Sequence, residues 1–115
     1  GRKNNYTHPK DFEHIIDNYN FNFVLDVQHV YEHDSSMKLA EEFRDAWKGR
    51  LSHMHISGFD GKNIHYPAYK SYNKDDIIKS LELKLPVPKI LEGILLQDID
   101  RTISEEILFV KSFER

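Results

Sequence analysis

The sequence predicts an α/β fold in which a parallel sheet is covered by helices. Short segments rich in aromatic and β-branched residues alternate along the chain with segments of helical periodicity. The strand-like segments carry apolar residues on both faces, which is typical of parallel strands covered by helices. With 115 residues and 39% hydrophobic content, the chain has apolar material for a core. We therefore expect the order α-β-α-β-α-β-α.

The N-terminal half is predicted to contain two helices and two strands. Apolar residues at helical spacing predict a helix from Pro9 to Asn18. Proline suits the first helical turn, which supports a start at Pro9. The run from Phe21 to Val27 (FNFVLDV) predicts a strand. The next helix is predicted over residues 35–48, with Ser35 or Ser36 as its cap. The segment Leu51 to Ser57 (LSHMHIS) predicts the second strand.

The C-terminal half begins with a long polar and aromatic stretch, residues 59–72, which has no clear periodicity. Its length indicates a functional loop rather than a plain connection. Asn73 is then expected to cap a helix, and a third strand is predicted within Val87 to Leu96. The segment Thr102 to Glu105 matches a capping box and predicts the start of the last helix.

Composition excludes several classes of protein. The absence of cysteine excludes disulfide scaffolds, thiolate metal sites and cysteine nucleophiles. A formal charge of −3 argues against binding of nucleic acid by bulk charge. No apolar run approaches the roughly 18 residues of a membrane helix, and the first residues do not resemble a signal peptide. We therefore expect a cytoplasmic protein without a membrane partner.

Each predicted strand carries an ionisable residue where a buried strand should be apolar. These residues are Asp26 in the first strand, His53 and His55 in the second, and Glu92 in the third. The carboxyl ends of parallel strands form the edge at which sites are built, so we expect these side chains to meet. Carboxylate and imidazole groups without thiolate suit Zn²⁺, Mn²⁺, Co²⁺ or Mg²⁺. The pattern therefore predicts a divalent-metal site.

Two further histidines could reach the same pocket. His29 follows Asp26 by three residues, and His65 lies in the long loop. Each strand residue also has a structural interpretation: Asp26 could cap the next helix, and His53 could be a satisfied core residue. Glu92 could pair with a nearby lysine. Taken together, three strands that deliver Asp, His and Glu to one edge favour the functional interpretation.

Four short motifs then resemble a known superfamily. They are Leu25 to His29 (LDVQH), His53 to Ser57 (HMHIS), Asn63 to Pro67 (NIHYP) and Ile90 to Glu92 (ILE). In order and spacing they resemble the second half of xylose-isomerase-like TIM barrels, which include sugar isomerases and epimerases and the apurinic/apyrimidinic endonucleases of the endonuclease IV type (AP endonuclease family 2). The resemblance spans nearly the whole chain and implies that residues 1–115 form the C-terminal half of such a barrel. A closed barrel takes about 250 residues, so a missing N-terminal half-barrel or a homo-oligomer partner would complete it.

The resemblance also implies roles for individual residues. Metal ligands would be Asp26, His55 and Glu92, with His29 and His65 as added ligands in the endonucleases. The family's aspartate-x-histidine ligand pair falls on Asn63 and His65, so that an asparagine stands in place of the aspartate. Catalytic roles would fall on Glu92 and His29. Substrate contacts are expected from these residues: His29, His53, His65 and Lys62.

Three functions remain open from the sequence. The first is a metal-dependent isomerase or epimerase of carbohydrate metabolism, which acts on a sugar or sugar phosphate by proton transfer through an enediolate. The second is an endonuclease IV-like phosphodiesterase acting on abasic DNA. Among the three hypotheses, it alone implies a nucleic-acid partner. The third is a non-catalytic partial barrel that serves as a sugar-binding or interaction module. We place the isomerase first, with activity expected of the intact barrel rather than of this chain alone.

Overall fold

A computed structural model describes residues 8–12, 21–47 and 49–114 and shows an α/β fold. The strands are, in chain order, β1 (Phe23–Asp26), β2 (Leu51–Ile56), β3 (Gly58–Phe59), β4 (Ile64–Tyr66) and β5 (Lys89–Leu91). A three-stranded parallel sheet has the order β1-β2-β5, and β3 and β4 form an antiparallel hairpin. The predicted fold class and its parallel sheet are therefore confirmed.

Four α-helices lie within the described ranges: α1 (Val27–His33), α2 (Lys38–Ala46), α3 (Lys74–Leu81) and α4 (Ile99–Lys111). Short 3₁₀ helices occupy Pro9–Phe12, Ala68–Lys70 and Leu96–Asp98. None of these described helices is long and apolar enough to cross a membrane.

The simple alternation of helices and strands is wrong in two places. Two helices, α1 and α2, separate β1 from β2, and the expected loop over residues 59–72 contains most of the hairpin and a 3₁₀ helix. The predicted leading helix lies mostly outside the described residues, which show only the 3₁₀ turn Pro9–Phe12 there. Helix α1 was not predicted because it begins directly at the end of β1, and no loop sequence between them indicates a boundary.

The predicted capping box of the last helix is also wrong. Helix α4 begins at Ile99, its N-cap Asp98 lies four residues before Thr102, and Thr102 is fully buried inside the helix. The Thr102 hydroxyl donates a hydrogen bond to the Asp98 carbonyl at 2.9 Å and accepts one from the Leu95 amide at 3.3 Å. A threonine that bonds back to the preceding turn is satisfied within a helix and need not mark its start.

A neighbouring aspartate takes the place of the predicted serine cap of α2. The Asp34 carboxylate accepts hydrogen bonds from the Leu39 amide at 2.9 Å and from the Ser36 amide and hydroxyl at 3.1 and 2.6 Å. The hydroxyl bond is the main cause that holds the pKa of Asp34 below its ordinary value. Ser36 acts inside the turn, where its hydroxyl accepts from the Lys38 amide at 3.3 Å.

The parallel sheet buries one face and leaves the other partly open. Leu25, Met54 and Ile56 are buried on the helix-covered side. Val24 and Ile90 lie on the opposite face and are 42% and 44% exposed. The expectation of strands buried on both faces is therefore wrong for the described part of the sheet. Strand periodicity places the candidate site residues on this open face.

Candidate metal centre

Three predicted site residues meet at the carboxyl edge of the sheet. Asp26 ends β1 and is the register partner of His55 in β2. Glu92 follows β5 directly, and its amide donates to the Ile56 carbonyl at 2.9 Å, which continues the ladder by one residue. Because the three strands are parallel, their carboxyl ends lie side by side. The predicted convergence of Asp26, His55 and Glu92 is confirmed.

The spacing of their polar atoms suits one divalent ion. His55 Nδ1 lies 3.3 Å from Glu92 Oε2 and 3.7 Å from Asp26 Oδ2. One ligand atom from each residue lies within 4.8 Å of the other two. Ligand atoms bound at about 2.1 Å to a tetrahedral ion are roughly 3.4 Å apart. The three side chains are 19–27% exposed, so the site is partly desolvated yet open on one side.

One atom of this cluster has no partner among the described residues. Glu92 Oε1 is buried and makes no hydrogen bond. A buried carboxylate oxygen without a partner is costly, and such groups in native proteins usually bind a donor or an ion. Two carboxylates and one imidazole suit divalent ions from Mg²⁺ to Zn²⁺. The donor set and the unsatisfied oxygen therefore both fit a metal centre.

Asp26 has a structural role as well as a place in the cluster. It is the N-cap of α1, where Oδ1 accepts hydrogen bonds from the Gln28 and His29 amides, each at 3.1 Å. Its other oxygen, Oδ2, faces His55. The capping bonds hold the carboxylate in one orientation, so the cap keeps the second oxygen facing His55.

Substitutions at Asp26 should separate these two roles. Asp26→Asn keeps an oxygen that can cap α1, so we expect the free energy of unfolding without metal to change by less than about 0.5 kcal/mol. Asp26→Ala removes the cap and should cost about 1 kcal/mol. Both variants should bind divalent metal more weakly. Urea unfolding of the metal-free proteins measures the difference, and equal destabilisation by both substitutions would contradict the capping role.

His29 lies at the exposed rim of the centre, in the first turn of α1. Its Nε2 is 3.8 Å from Asp26 Oδ2, and its Nδ1 is 2.9 Å from Glu32 Oε2. Burial lowers the pKa of His29, but the hydrogen bond to Glu32 and the charges of Asp26, Glu32 and Glu92 outweigh it and raise the pKa above the ordinary value. The side chain is placed where it could contact a substrate beside the three ligands.

The other predicted site residues lie outside the cluster of Asp26, His55 and Glu92. His53 lies behind His55, with its Nε2 3.2 Å from His55 Nε2. His65 and Lys62 are exposed in the hairpin, and His65 has a left-handed backbone with φ 61°. His65 does not belong to the candidate metal cluster found within the described ranges. The backbone amide of Asn63 donates a hydrogen bond to Asp60 Oδ1 at 2.6 Å.

Asn73 holds the hairpin beside the site, which sequence reasoning missed. It stands at the N-cap of α3 as expected, but its side chain makes no capping bond. Instead, Asn73 Oδ1 accepts from the Phe59 amide at 3.0 Å, and Asn73 Nδ2 donates to Gln28 Oε1 at 2.9 Å. Both side chains are buried. The pair thus links α1, β3 and α3, which no local pattern indicates.

Glu106 fixes the segment that follows the hairpin. It is fully buried in α4 and accepts hydrogen bonds from the amides of Ala68 at 2.7 Å and Tyr69 at 3.0 Å. Burial raises the pKa of Glu106, and the two backbone hydrogen bonds only partly oppose this. An acidic residue in a helix gives no sequence signal of such a contact, because its partners lie 37 and 38 positions away.

Gly93 sets the position of Glu92. A Cβ atom at Gly93 would collide with the Tyr66 carbonyl group and lie 2.8 Å from Pro67 Cα. The missing side chain therefore lets the end of β5 lie directly against the backbone that leaves β4. This close approach places the residue before it, Glu92, at the edge of the sheet.

Comparisons of this chain with protein-family models, with curated proteins and with solved structures give no match. The barrel resemblance thus remains a prediction from four short motifs.

Proposed function

We propose that this chain carries the divalent-metal site of a sugar or sugar-phosphate isomerase or epimerase of the xylose-isomerase-like kind. The observation that carries the proposal is the convergence of Asp26, His55 and Glu92, together with a buried Glu92 oxygen that has no described partner. Oxygen and imidazole ligands suit ions that act as Lewis acids in isomerising and hydrolytic sites.

Glu92 would have two tasks in such a site. When bound, a divalent ion supplies polarisation of a carbonyl and its neighbouring hydroxyl. Asp26, His55 and Glu92 Oε2 would hold it. As the resemblance implies, the Glu92 carboxylate would also take a proton from a substrate carbon and return it, as a general base and acid. His29, at the rim, would orient a substrate hydroxyl.

The exposed parts of the sheet support a half-barrel that is completed by other βα units. Among the described strands, β1 pairs with β2 alone, and a groove of about 260 Å³ runs beside it, lined in part by Val24 and Phe43. Val24 and Ile90 are also exposed on the open face. In a closed barrel the next strand pairs with such an edge, and the interior side chains pack against one another. We propose that an N-terminal half-barrel or a second copy supplies this cover.

The endonuclease alternative has less support. It needs several ions and added ligands, yet His65 stands apart from the three ligands within the described residues. The partner position of that motif is Asn63, which bonds to Asp60. A formal charge of −3 also offers little attraction for DNA. One ion and a small substrate fit these observations better.

Metal and turnover measurements test the proposal in sequence. We expect elemental analysis and calorimetric titration with Mn²⁺, Co²⁺, Zn²⁺ and Mg²⁺ to give one bound ion per chain. The protein of the full reading frame should then interconvert ketoses or their phosphates and leave an abasic-site oligonucleotide intact. A folded chain that binds no divalent ion would overturn the proposal. Metal-dependent cleavage of the oligonucleotide would replace it with the endonuclease function, and ion binding without either activity would favour a binding module.

A further inference from the structure

A line of hydrogen-bonding groups runs from the metal centre into the sheet. His55 Nε2, on the side of the ring away from the carboxylates, lies 3.2 Å from His53 Nε2. His53 Nδ1 lies 2.8 Å from the Ser52 hydroxyl oxygen, which in turn lies 3.4 Å from the Phe23 carbonyl oxygen. These contacts connect a ligand of the proposed ion to the backbone of β1 through two side chains.

We propose that His53 is a positioning residue that fixes the ring orientation of His55 for metal binding and accepts the hydrogen of His55 Nε2 when the ion is bound. The inference rests on the proposed metal centre. At 3.2 Å the two Nε2 atoms can share one hydrogen, so one ring must donate and the other must accept. The tautomers of His53 and His55 are therefore coupled while both rings stay neutral.

The line of contacts is fully satisfied when His55 offers a lone pair to an ion. With a lone pair on Nδ1, His55 carries its hydrogen on Nε2 and donates it to His53 Nε2. His53 then carries its hydrogen on Nδ1 and donates it to Ser52, whose hydroxyl donates to the Phe23 carbonyl. Each donor in this series meets an acceptor, as expected for the outer partners of a ligating histidine.

The same atoms also serve the metal-free state with the hydrogens rearranged. His55 Nδ1, which lies 3.3 Å from Glu92 Oε2, then carries the hydrogen, so its Nε2 accepts from His53 Nε2. His53 Nδ1 accepts in turn from the Ser52 hydroxyl. The three side chains carry three hydrogens in both states, and the exchange occurs with solvent. Metal binding should therefore reverse both tautomers without moving the rings.

Calorimetric titration with Zn²⁺ alone tests the role of His53. His53→Phe keeps a ring but offers no acceptor, so we expect the affinity for Zn²⁺ to fall about 10- to 100-fold. His53→Gln places an oxygen where it can accept from His55 Nε2 and should restore most of the affinity. His33→Phe, an exposed histidine of α1, is the matched control and should bind like the original chain.

A measurement on the unsubstituted chain tests the tautomers directly. Long-range ¹H–¹⁵N spectra of the imidazole rings should show His55 with its hydrogen on Nδ1 before Zn²⁺ and on Nε2 after it, with the opposite change in His53. If Zn²⁺ binds but His53→Phe binds equally well, or the tautomer of His53 does not change, the positioning role is overturned while the metal centre stands. If the original chain binds no Zn²⁺, the positioning role and the proposed function both fall.

Discussion

Glu92→Gln is expected to weaken divalent-metal binding by at least about 100-fold, since it removes a charged ligand rather than an outer partner, whose loss alone costs 10- to 100-fold. The amide oxygen that remains is neutral and a poorer ligand than a carboxylate. The variant should remain folded without metal, because the amide oxygen of glutamine can still lie beside His55 Nδ1 and Asp26 loses a like-charged neighbour. Calorimetric titration of the folded variant measures the affinity.

Thermal unfolding gives a second measurement of the same substitution. An ion at 100 times its dissociation constant stabilises the folded state by about 2.7 kcal/mol. For a domain near 100 residues this raises the Tm by roughly 10 °C. Glu92→Gln should lose this increase, whereas Glu105→Gln, on the exposed side of α4, should retain it. An undiminished increase in the Glu92 variant would remove Glu92 from the ligand set.

Gly93→Ala should lower the free energy of unfolding by about 3 kcal/mol, near the upper end of the usual range for overpacking. The added Cβ would meet backbone atoms, the Tyr66 carbonyl group and Pro67 Cα, which cannot rotate away as a flexible side chain would. Relief of the clash must separate the end of β5 from β4. Metal affinity should also fall in any folded fraction, because Glu92 is the preceding residue.

Gly49→Ala is the matched control for this substitution. A Cβ at Gly49 has nothing within 4 Å and its backbone carries no positive φ, so we expect a change within about 0.5 kcal/mol. Urea unfolding of both variants measures the difference. Equal stability of the two would show that the contact between Gly93 and the Tyr66–Pro67 backbone does not constrain the fold.

The convergence of Asp26, His55 and Glu92 was predictable because it depends on two regular properties of strands. Side chains alternate between the faces of a strand, and the carboxyl ends of parallel strands lie at one edge. The two interpretations of Asp26 proved compatible, since one oxygen caps α1 while the other faces His55. His65 was placed by motif resemblance alone, and the described structure does not bring it to the ligands.

The sequence by itself determined the α/β class, the three parallel strands and the edge at which the candidate ligands meet. These features follow from local periodicity, which depends only on residues close together in the sequence. Only the tertiary structure decided that Glu106 holds the Ala68–Tyr69 backbone, that Gly93 lies against Tyr66, and that His53 stands behind His55. Such contacts depend on how distant elements pack and on which side-chain atoms face each other. The spacing of residues along the sequence predicts neither.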